Sequence, residues 1–249
     1  MYFFILFKNL AITLCRGLAL PIVMKRIMRE GHEAVLPRAT YAPWRTDVSF
    51  LSCYQKIKSF TLVDIYRCYE LWQLVQQTKK LDGALIEVGV WRGGTGAIIA
   101  QRTKEMGDKN PVYLCDTFQG VVKTSAHDTY YKGGEWKNTS GQIVQQLLSG
   151  LGLIDSVRIL QGIFPEETGH AIQEQKIKFC HIDVDVYTSA KDITTWIWDK
   201  LVVGGILVYD DFGFPSCDGV RKLVHEEYEK NDRIIIHNLN GHAVVIKIR

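Results

Sequence analysis

Seven short apolar runs constrain the fold of this 249-residue chain most strongly, because five of them are each followed by a segment with helical spacing. Regular alternation of strand and helix predicts a doubly wound α/β domain with a mostly parallel sheet. The last two runs flank Asn240-Gly241, a strong hairpin signal, and predict one antiparallel strand at or near an edge. The seven expected strands cover residues 83–88, 111–116, 156–161, 177–183, 203–209, 233–237 and 243–248.

The first two dozen residues are strongly apolar, but Lys8 and Arg16 interrupt them. They lack the roughly 20 uninterrupted apolar residues of a membrane helix and the leading basic region of a secretory signal. The polar side chains that share one arc of a helical wheel are Lys8, Asn9, Thr13 and Arg16. This pattern is typical of a helix on a hydrophobic surface, which we interpret as protein, with membrane contact through residues 1–24 as the alternative. We expect residues 1–60 to form a helical extension and connecting segment, and residues 61–249 to form the main domain.

The composition limits which partners the protein can bind and which cellular compartment suits it. A net charge of +3 without any long Lys/Arg run excludes a nucleic-acid partner. The six cysteines are scattered and contain no CxxC pair, which argues against a zinc site and suits reduced thiols. We therefore expect a cytoplasmic protein that builds its core without disulfides, since 47% of its residues are apolar.

Two acidic clusters close neighbouring strands of the expected sheet. Asp183 and Asp185 end one strand, and Asp210 and Asp211 end the next. Parallel strands bring their carboxyl ends to one edge, where crowded carboxylates raise each other's pKa unless a divalent cation offsets their charge. Oxygen ligands suit Mg²⁺, Ca²⁺ or Mn²⁺. The alternative is that each aspartate caps the following helix; two clusters on adjacent strands favour the metal. His181 lies one pleat deeper in the sheet and is interpreted as structural.

A glycine-rich turn follows the first strand of the main domain and reads E-x-G-x-x-x-G from Glu87 to Gly93. Such a turn lets the backbone approach a ligand at the start of a helix. The spacing differs from the dinucleotide fingerprint and is typical of class I S-adenosylmethionine (SAM) methyltransferases. Asp116 ends the second strand, where its carboxylate can accept hydrogen bonds from ribose hydroxyls. Together Glu87 and Asp116 favour SAM over a purely structural turn.

Four ordered blocks of the chain resemble the metal-dependent O-methyltransferases typified by macrocin O-methyltransferase and its novobiocin-pathway relative. The blocks begin at Glu87, Asp116, His181 and Gly204, and the similarity extends over roughly residues 60–249. The resemblance implies a class I, Rossmann-like methyltransferase domain with SAM as donor and Mg²⁺ as metal. It also implies a small hydroxylated acceptor, often a natural-product sugar, and a homo-oligomer. The loop at 119–137, long enough to be a lid, carries no pattern that identifies the acceptor.

The same resemblance assigns the site residues. Asp183, Asp210 and Asp211 fall on the metal-ligand positions, and Asp183 doubles as a possible general base. The residues expected to contact SAM are Glu87, Gly89, Val90, Trp91, Gly93, Thr95, Asp116 and Thr117. Val186 stands where catechol O-methyltransferases place a lysine, so the proton of the acceptor hydroxyl would pass to a carboxylate such as Asp183 or Asp185.

Two other classes of protein remain open from the sequence. A nicotinamide-dependent oxidoreductase would use a similar sheet, but it needs the tighter glycine fingerprint and has no use for a carboxylate cluster. A non-catalytic SAM-binding scaffold would keep the fold without the cation site.

Overall fold

A computed structural model describes residues 31–32 and 39–249 of the chain. The amphipathic helix expected within residues 1–24 lies outside these residues. The chain divides into two units, Met1–Ala42 and Pro43–Arg249, and the described structure falls almost entirely within the second. The domain boundary expected at residue 60 stays a prediction.

The α-helices of the described chain surround a central sheet, and two of them begin at an aspartate cap. Asp47 accepts a hydrogen bond from the backbone N–H of Phe50, and Asp64 accepts from Tyr66 and Arg67, which satisfies donors that the first helical turn leaves unpaired. The helices are α1 (Val48–Ile57), α2 (Ile65–Gln77), α3 (Gly94–Glu105), α4 (Gly141–Gly150), α5 (Tyr187–Lys200) and α6 (Asp218–Glu227). Short 3₁₀ turns lie at Pro43–Arg45, Thr78–Lys80, Ile154–Ser156 and Gly169–Ile172. Within this part of the chain, no helix combines the length and apolar character needed to span a bilayer.

Seven strands form one sheet in the order β3-β2-β1-β4-β5-β7-β6. They are β1 (Ala84–Val88), β2 (Val112–Asp116), β3 (Val157–Gln161), β4 (Ile177–Ile182), β5 (Leu201–Tyr209), β6 (Arg233–His237) and β7 (Ala243–Lys247). Strands β1 to β5 pair in parallel, and β7 runs antiparallel to both of its neighbours. The prediction of a doubly wound, mostly parallel, seven-stranded sheet with one antiparallel strand near an edge is therefore confirmed.

Successive residues of the strands face two separate hydrophobic cores. Leu85 packs with helices α1 to α4 on one face, and its neighbour Ile86 packs with α5 and α6 on the other. This two-residue alternation follows from the pleat of the strands. Five cysteines of the described chain are buried and form no disulfide: Cys53, Cys68, Cys115, Cys180 and Cys217.

The sheet order reverses between β1 and β4, since the chain winds outward from β1 in one direction and from β4 in the other. In open α/β sheets, ligands bind at the carboxyl ends of the strands beside such a switch point. The glycine-rich turn follows β1 and the acidic clusters follow β4 and β5, so the fold places both sequence features at this position.

Candidate active site

A cavity of about 460 Å³ opens at the carboxyl ends of β1, β2, β4 and β5. Its size falls in the range of small-molecule sites. The structure brings most of the predicted site residues onto its walls: Gly89, Val90, Trp91, Thr95, Asp116, Thr117, Asp183, Asp210 and Asp211. Glu87 and Gly93, the other two residues predicted to contact SAM, are not on its walls.

The glycine-rich turn is tied to the end of the second strand. One carboxylate oxygen of Asp116 accepts hydrogen bonds from the backbone N–H groups of Val90 and Trp91, at 2.7 and 2.8 Å. The other accepts from Phe118 at 2.6 Å. A carboxylate has about four lone-pair positions, so one position on Asp116 remains for a ribose hydroxyl. Asp116 therefore shapes the turn as well as facing the cavity.

Gly89 brings the turn against the first acidic cluster. Its backbone has φ of +91°, and a Cβ placed there would lie 1.7 Å from the carbonyl oxygen of Asp183. Only glycine allows this approach, because any side chain would displace the end of β4. The predicted donor-binding turn and the predicted metal cluster thus share one close backbone contact.

Replacing Gly89 with alanine tests this contact. We expect Gly89→Ala to weaken SAM binding at least about 10-fold, because the Cβ would displace both the turn and Asp183. Gly107→Ala is the matched control, since Gly107 also has positive φ, +67°, but nothing lies within 4 Å of its Cβ position. Calorimetric titration with SAM measures both; equal affinities in the two variants would contradict the role given to Gly89.

The metal-ligand candidates converge. Ligand oxygens of Asp183, Asp210 and Asp211 lie within 4.8 Å of one another. Asp185 joins this group through its backbone N–H, which donates to Asp211 Oδ2 at 2.8 Å, and its φ of +65° is a left-handed conformation uncommon outside glycine. The carboxylates predicted from two separate strand ends therefore form one cluster.

Three cationic side chains surround Asp210, and sequence reasoning assigned none of them to the site. Arg67 of α2 forms a buried ion pair with Oδ2. His181 of β4 and His242, which precedes β7, approach Oδ1 through Nε2 at 3.3 and 2.8 Å. The sequence did contain a hint of both contacts. Arg67 is a charged residue among the apolar residues that α2 buries, and His242 directly follows the hairpin turn.

Each imidazole is held by a glutamate on its other side. His181 Nδ1 lies 2.9 Å from Glu87 Oε1, and His242 Nδ1 lies 2.6 Å from Glu70 Oε2. Glu87 is fully buried, and its carboxylate packs beneath α3 beside Gly96. In this structure Glu87 supports His181, so its predicted contact with SAM stays a prediction.

The three carboxylates of the cluster have pKa values that are shifted in opposite directions. Burial alone would raise the pKa of Asp210, but hydrogen bonds from both histidines and the charges of His242 and Arg67 hold this pKa far below its usual value. Burial lowers the pKa of His181, but hydrogen bonds to Asp210 and Glu87 raise it to about 10. Burial and neighbouring carboxylates raise the pKa of Asp183 and of Asp211 well above the usual range. The protein itself neutralises Asp210, whereas the pKa values of Asp183 and Asp211 stay raised although the charges of His181 and Arg67 act on them.

A divalent cation would offset the negative charge that Asp183 and Asp211 carry when ionised. Within the described chain, no hydrogen-bond donor reaches the carboxylate of Asp183, which faces the cavity. The oxygen donors of Asp183, Asp210 and Asp211 form the ligand set that Mg²⁺ or Mn²⁺ prefers. The residues present therefore fit the metal that the sequence implied.

Asp185 lies beside the candidate metal ligands, in a different environment. Burial raises its pKa to about 6, and hydrogen bonds from Tyr131 and Cys217 limit that rise. The thiol of Cys217 lies 3.7 Å from Asp185 Oδ1, and all three side chains line the cavity. A carboxylate with this pKa can accept a proton near neutral pH.

The loop after β2 forms a wall of the cavity. It contributes Gly120, Val121, Val122, Tyr131, Trp136 and Thr139. Asn138 accepts a hydrogen bond from the indole of Trp91 at 2.9 Å, and Asp128 accepts from the backbone of Tyr187 at 2.8 Å. The segment expected as a lid, residues 119–137, is thus tied to the start of α5 through Asp128, and Asn138, which follows it, is tied to the glycine-rich turn.

Comparisons with known proteins agree with this geometry. Residues 56–244 match the family described as macrocin O-methyltransferase (TylF). The chain is 28% identical over 186 residues to mycinamicin III 3''-O-methyltransferase of Micromonospora griseorubida, over 69% of this chain and 71% of that protein. It is 26% identical over 195 residues to demethyldecarbamoylnovobiocin O-methyltransferase of Streptomyces niveus, over 73% of each. The structure of the O-methyltransferase NovP shares the fold with a TM-score of 0.64 and 24% identity, over 76% of this chain and 83% of that chain.

Proposed function

The chain belongs to the macrocin O-methyltransferase family, and from this premise we propose that it methylates a hydroxyl of a sugar or related natural product in a Mg²⁺-dependent reaction. The resemblance seen in the four sequence blocks is confirmed, and the chain is a SAM-dependent O-methyltransferase. One observation carries the metal-dependent part of the proposal: the convergence of Asp183, Asp210 and Asp211 directly beside the glycine-rich turn.

In the proposed reaction the acceptor oxygen attacks the methyl carbon of SAM, the C–S bond breaks, and the sulfonium becomes a neutral thioether. The hydroxyl proton must leave as the O–C bond forms. Mg²⁺, when bound, would lower the pKa of the acceptor hydroxyl and stabilise the developing oxyanion. Asp183, Asp210 and Asp211 would hold it, and the turn from Gly89 to Trp91 would hold the donor.

Asp185 is the better of the two candidate bases. A carboxylate that binds a cation is a weaker proton acceptor, and Asp183 belongs to the proposed ligand set. Asp185 lies outside that set, and its pKa of about 6 leaves it ionised at neutral pH. Tyr131 and Cys217 would hold it toward the acceptor, while Asp183 keeps its predicted role in metal binding.

The negative charge of the cavity lining indicates which class of acceptor can bind there. Among the described lining residues there are five carboxylates and one guanidinium, that of Arg67, which is already paired with Asp210. Even a divalent ion and a sulfonium would not make this lining positive. We therefore propose an uncharged or amine-bearing acceptor. Aromatic walls such as Tyr131 and Trp136 suit the apolar faces of a sugar ring.

Methyl transfer from labelled SAM tests this function. With Mg²⁺ and a panel of hydroxylated glycosides and phenols, we expect kcat/KM for a neutral glycoside to exceed that for its phosphate ester by at least about 10-fold, because the phosphate meets like charge. Preference for the phosphate ester would contradict the proposed acceptor class. Calorimetry with NAD is the control, and tight NAD binding in place of SAM would reject the function itself.

The remaining expectations are part of the same proposal. A cytoplasmic location agrees with the unpaired thiols of the described chain. Homo-oligomerisation, and what the segment at residues 1–24 contacts, stay predictions.

A further inference from the structure

The carboxylate of Asp210 is almost fully used by the protein. Of its about four lone-pair positions, three accept hydrogen bonds. His181 and His242 occupy Oδ1, and Arg67 occupies Oδ2. One position therefore remains for an ion, and it lies on Oδ2.

Of the two imidazoles that donate to Oδ1, His242 is the closer, and Glu70 holds the other side of its ring. Its Nε2 lies 2.8 Å from Asp210, and its Nδ1 lies 2.6 Å from Glu70. Because both partners are carboxylates, both ring nitrogens donate. Glu70 is held in turn by the side-chain amides of Asn238 and Asn240. A fully buried imidazole bonded at both ends cannot turn away from Asp210.

Neither His242 nor Glu70 is among the residues that line the cavity. They cannot touch a substrate there, so any effect on the reaction passes through Asp210. Residues that orient a metal ligand from outside the ligand set often alter metal affinity by about 10- to 100-fold.

We propose that His242 and Glu70 are positioning residues that close Oδ1 of Asp210 to metal and thereby favour a small six-coordinate ion over Ca²⁺. The inference rests on the metal site of the proposed function. Mg²⁺ binds single carboxylate oxygens in a strict octahedron, whereas Ca²⁺ takes up to eight oxygens and readily uses both oxygens of one carboxylate. Withholding Oδ1 removes a ligand from Ca²⁺ and takes none from Mg²⁺.

Calorimetric titration of metal-free protein with Mg²⁺ and, separately, with Ca²⁺ tests the inference through the ratio of the two affinities. His242→Leu removes the donor and should shift that ratio toward Ca²⁺ by about 10-fold. His242→Gln can still offer an N–H to Oδ1 and should keep the ratio of the unmodified protein. Glu70→Gln loosens the imidazole and should shift the ratio in the same direction by a smaller factor. His225→Leu is the control, because His225 is an exposed imidazole on α6.

The outcomes separate this inference from the function on which it rests. An unchanged ratio in both His242→Leu and Glu70→Gln overturns it, even where the melting temperature falls, because His242 would then be merely structural. Should His242→Leu fail to fold, Glu70→Gln, which preserves the side-chain shape, decides alone. Unmodified protein that binds neither ion would overturn the metal site itself.

Discussion

Removal of divalent ions with EDTA should lower the rate of methyl transfer by about 100-fold or more, and added Mg²⁺ should restore it. The physical reason is that Asp183 and Asp211 line the cavity with raised pKa values, and an acceptor hydroxyl bound beside them would develop a negative charge that needs a counter-charge. A metal acting on an oxyanion supplies several kcal/mol, and each 1.36 kcal/mol is about a factor of ten in rate. Radiolabelled methyl transfer measures the effect.

The control for chelation is SAM binding without metal. The donor turn from Gly89 to Trp91 is hydrogen-bonded to the carboxylate of Asp116, and it meets Asp183 through that residue's backbone carbonyl rather than its carboxylate, so metal-free protein should bind SAM with nearly unchanged affinity. Full turnover in excess EDTA would rule out the metal mechanism, and loss of SAM binding along with activity would show that EDTA acts on the whole site.

Substitution of Asp185 by asparagine should lower kcat by about 100- to 10,000-fold, the usual contribution of a general base. Mg²⁺ and SAM affinities should change little, because Asp185 lies outside the proposed ligand set. Asp183→Asn should show the opposite pattern and lose Mg²⁺ affinity first. Asp199→Asn, an exposed aspartate on α5, is the matched control. Single-turnover kinetics at saturating Mg²⁺ separate these effects.

The pH profile gives a second readout for Asp185. A base must be ionised to accept a proton, so the rate should rise as pH increases through the pKa of Asp185, which burial raises to about 6 in the metal-free protein and which bound Mg²⁺ would lower, and then level off. Asp185→Asn should lack this rise. A variant that keeps both the rise and the rate of the unmodified enzyme would show that Asp183 or another group takes the proton.

The sheet and the position of the site could be predicted because both depend on local pattern. Apolar runs and the hairpin turn define the strands, and parallel strands necessarily bring Asp183, Asp210 and Asp211 to one edge. The same rule places Asp116 beside the glycine-rich turn. These contacts follow from secondary structure alone.

The cations around Asp210 could not be predicted in this way. Arg67 lies 143 residues from Asp210 along the chain, and their contact depends on how α2 crosses the sheet. His242 reaches Asp210 only because β7 inserts between β5 and β6. The partner of Glu87 could not be predicted either, because its contact with His181 depends on how β1 and β4 pair and on α3 covering it, and its predicted contact with SAM stays a prediction. Side-chain direction at a strand end depends on the neighbouring strands and helices.

The internal ion pairs of Asp210 have a consequence for how the proposed metal would be acquired. Because Arg67, His181 and His242 already balance the most buried charge of the cluster, β4, β5 and β7 can assemble before any ion arrives. Folding and loading then become separate events, unlike in small zinc domains that collapse only around their ion. With the proposed Mg²⁺ dependence, the fraction of active molecules would then follow the free Mg²⁺ concentration rather than the rate of new synthesis.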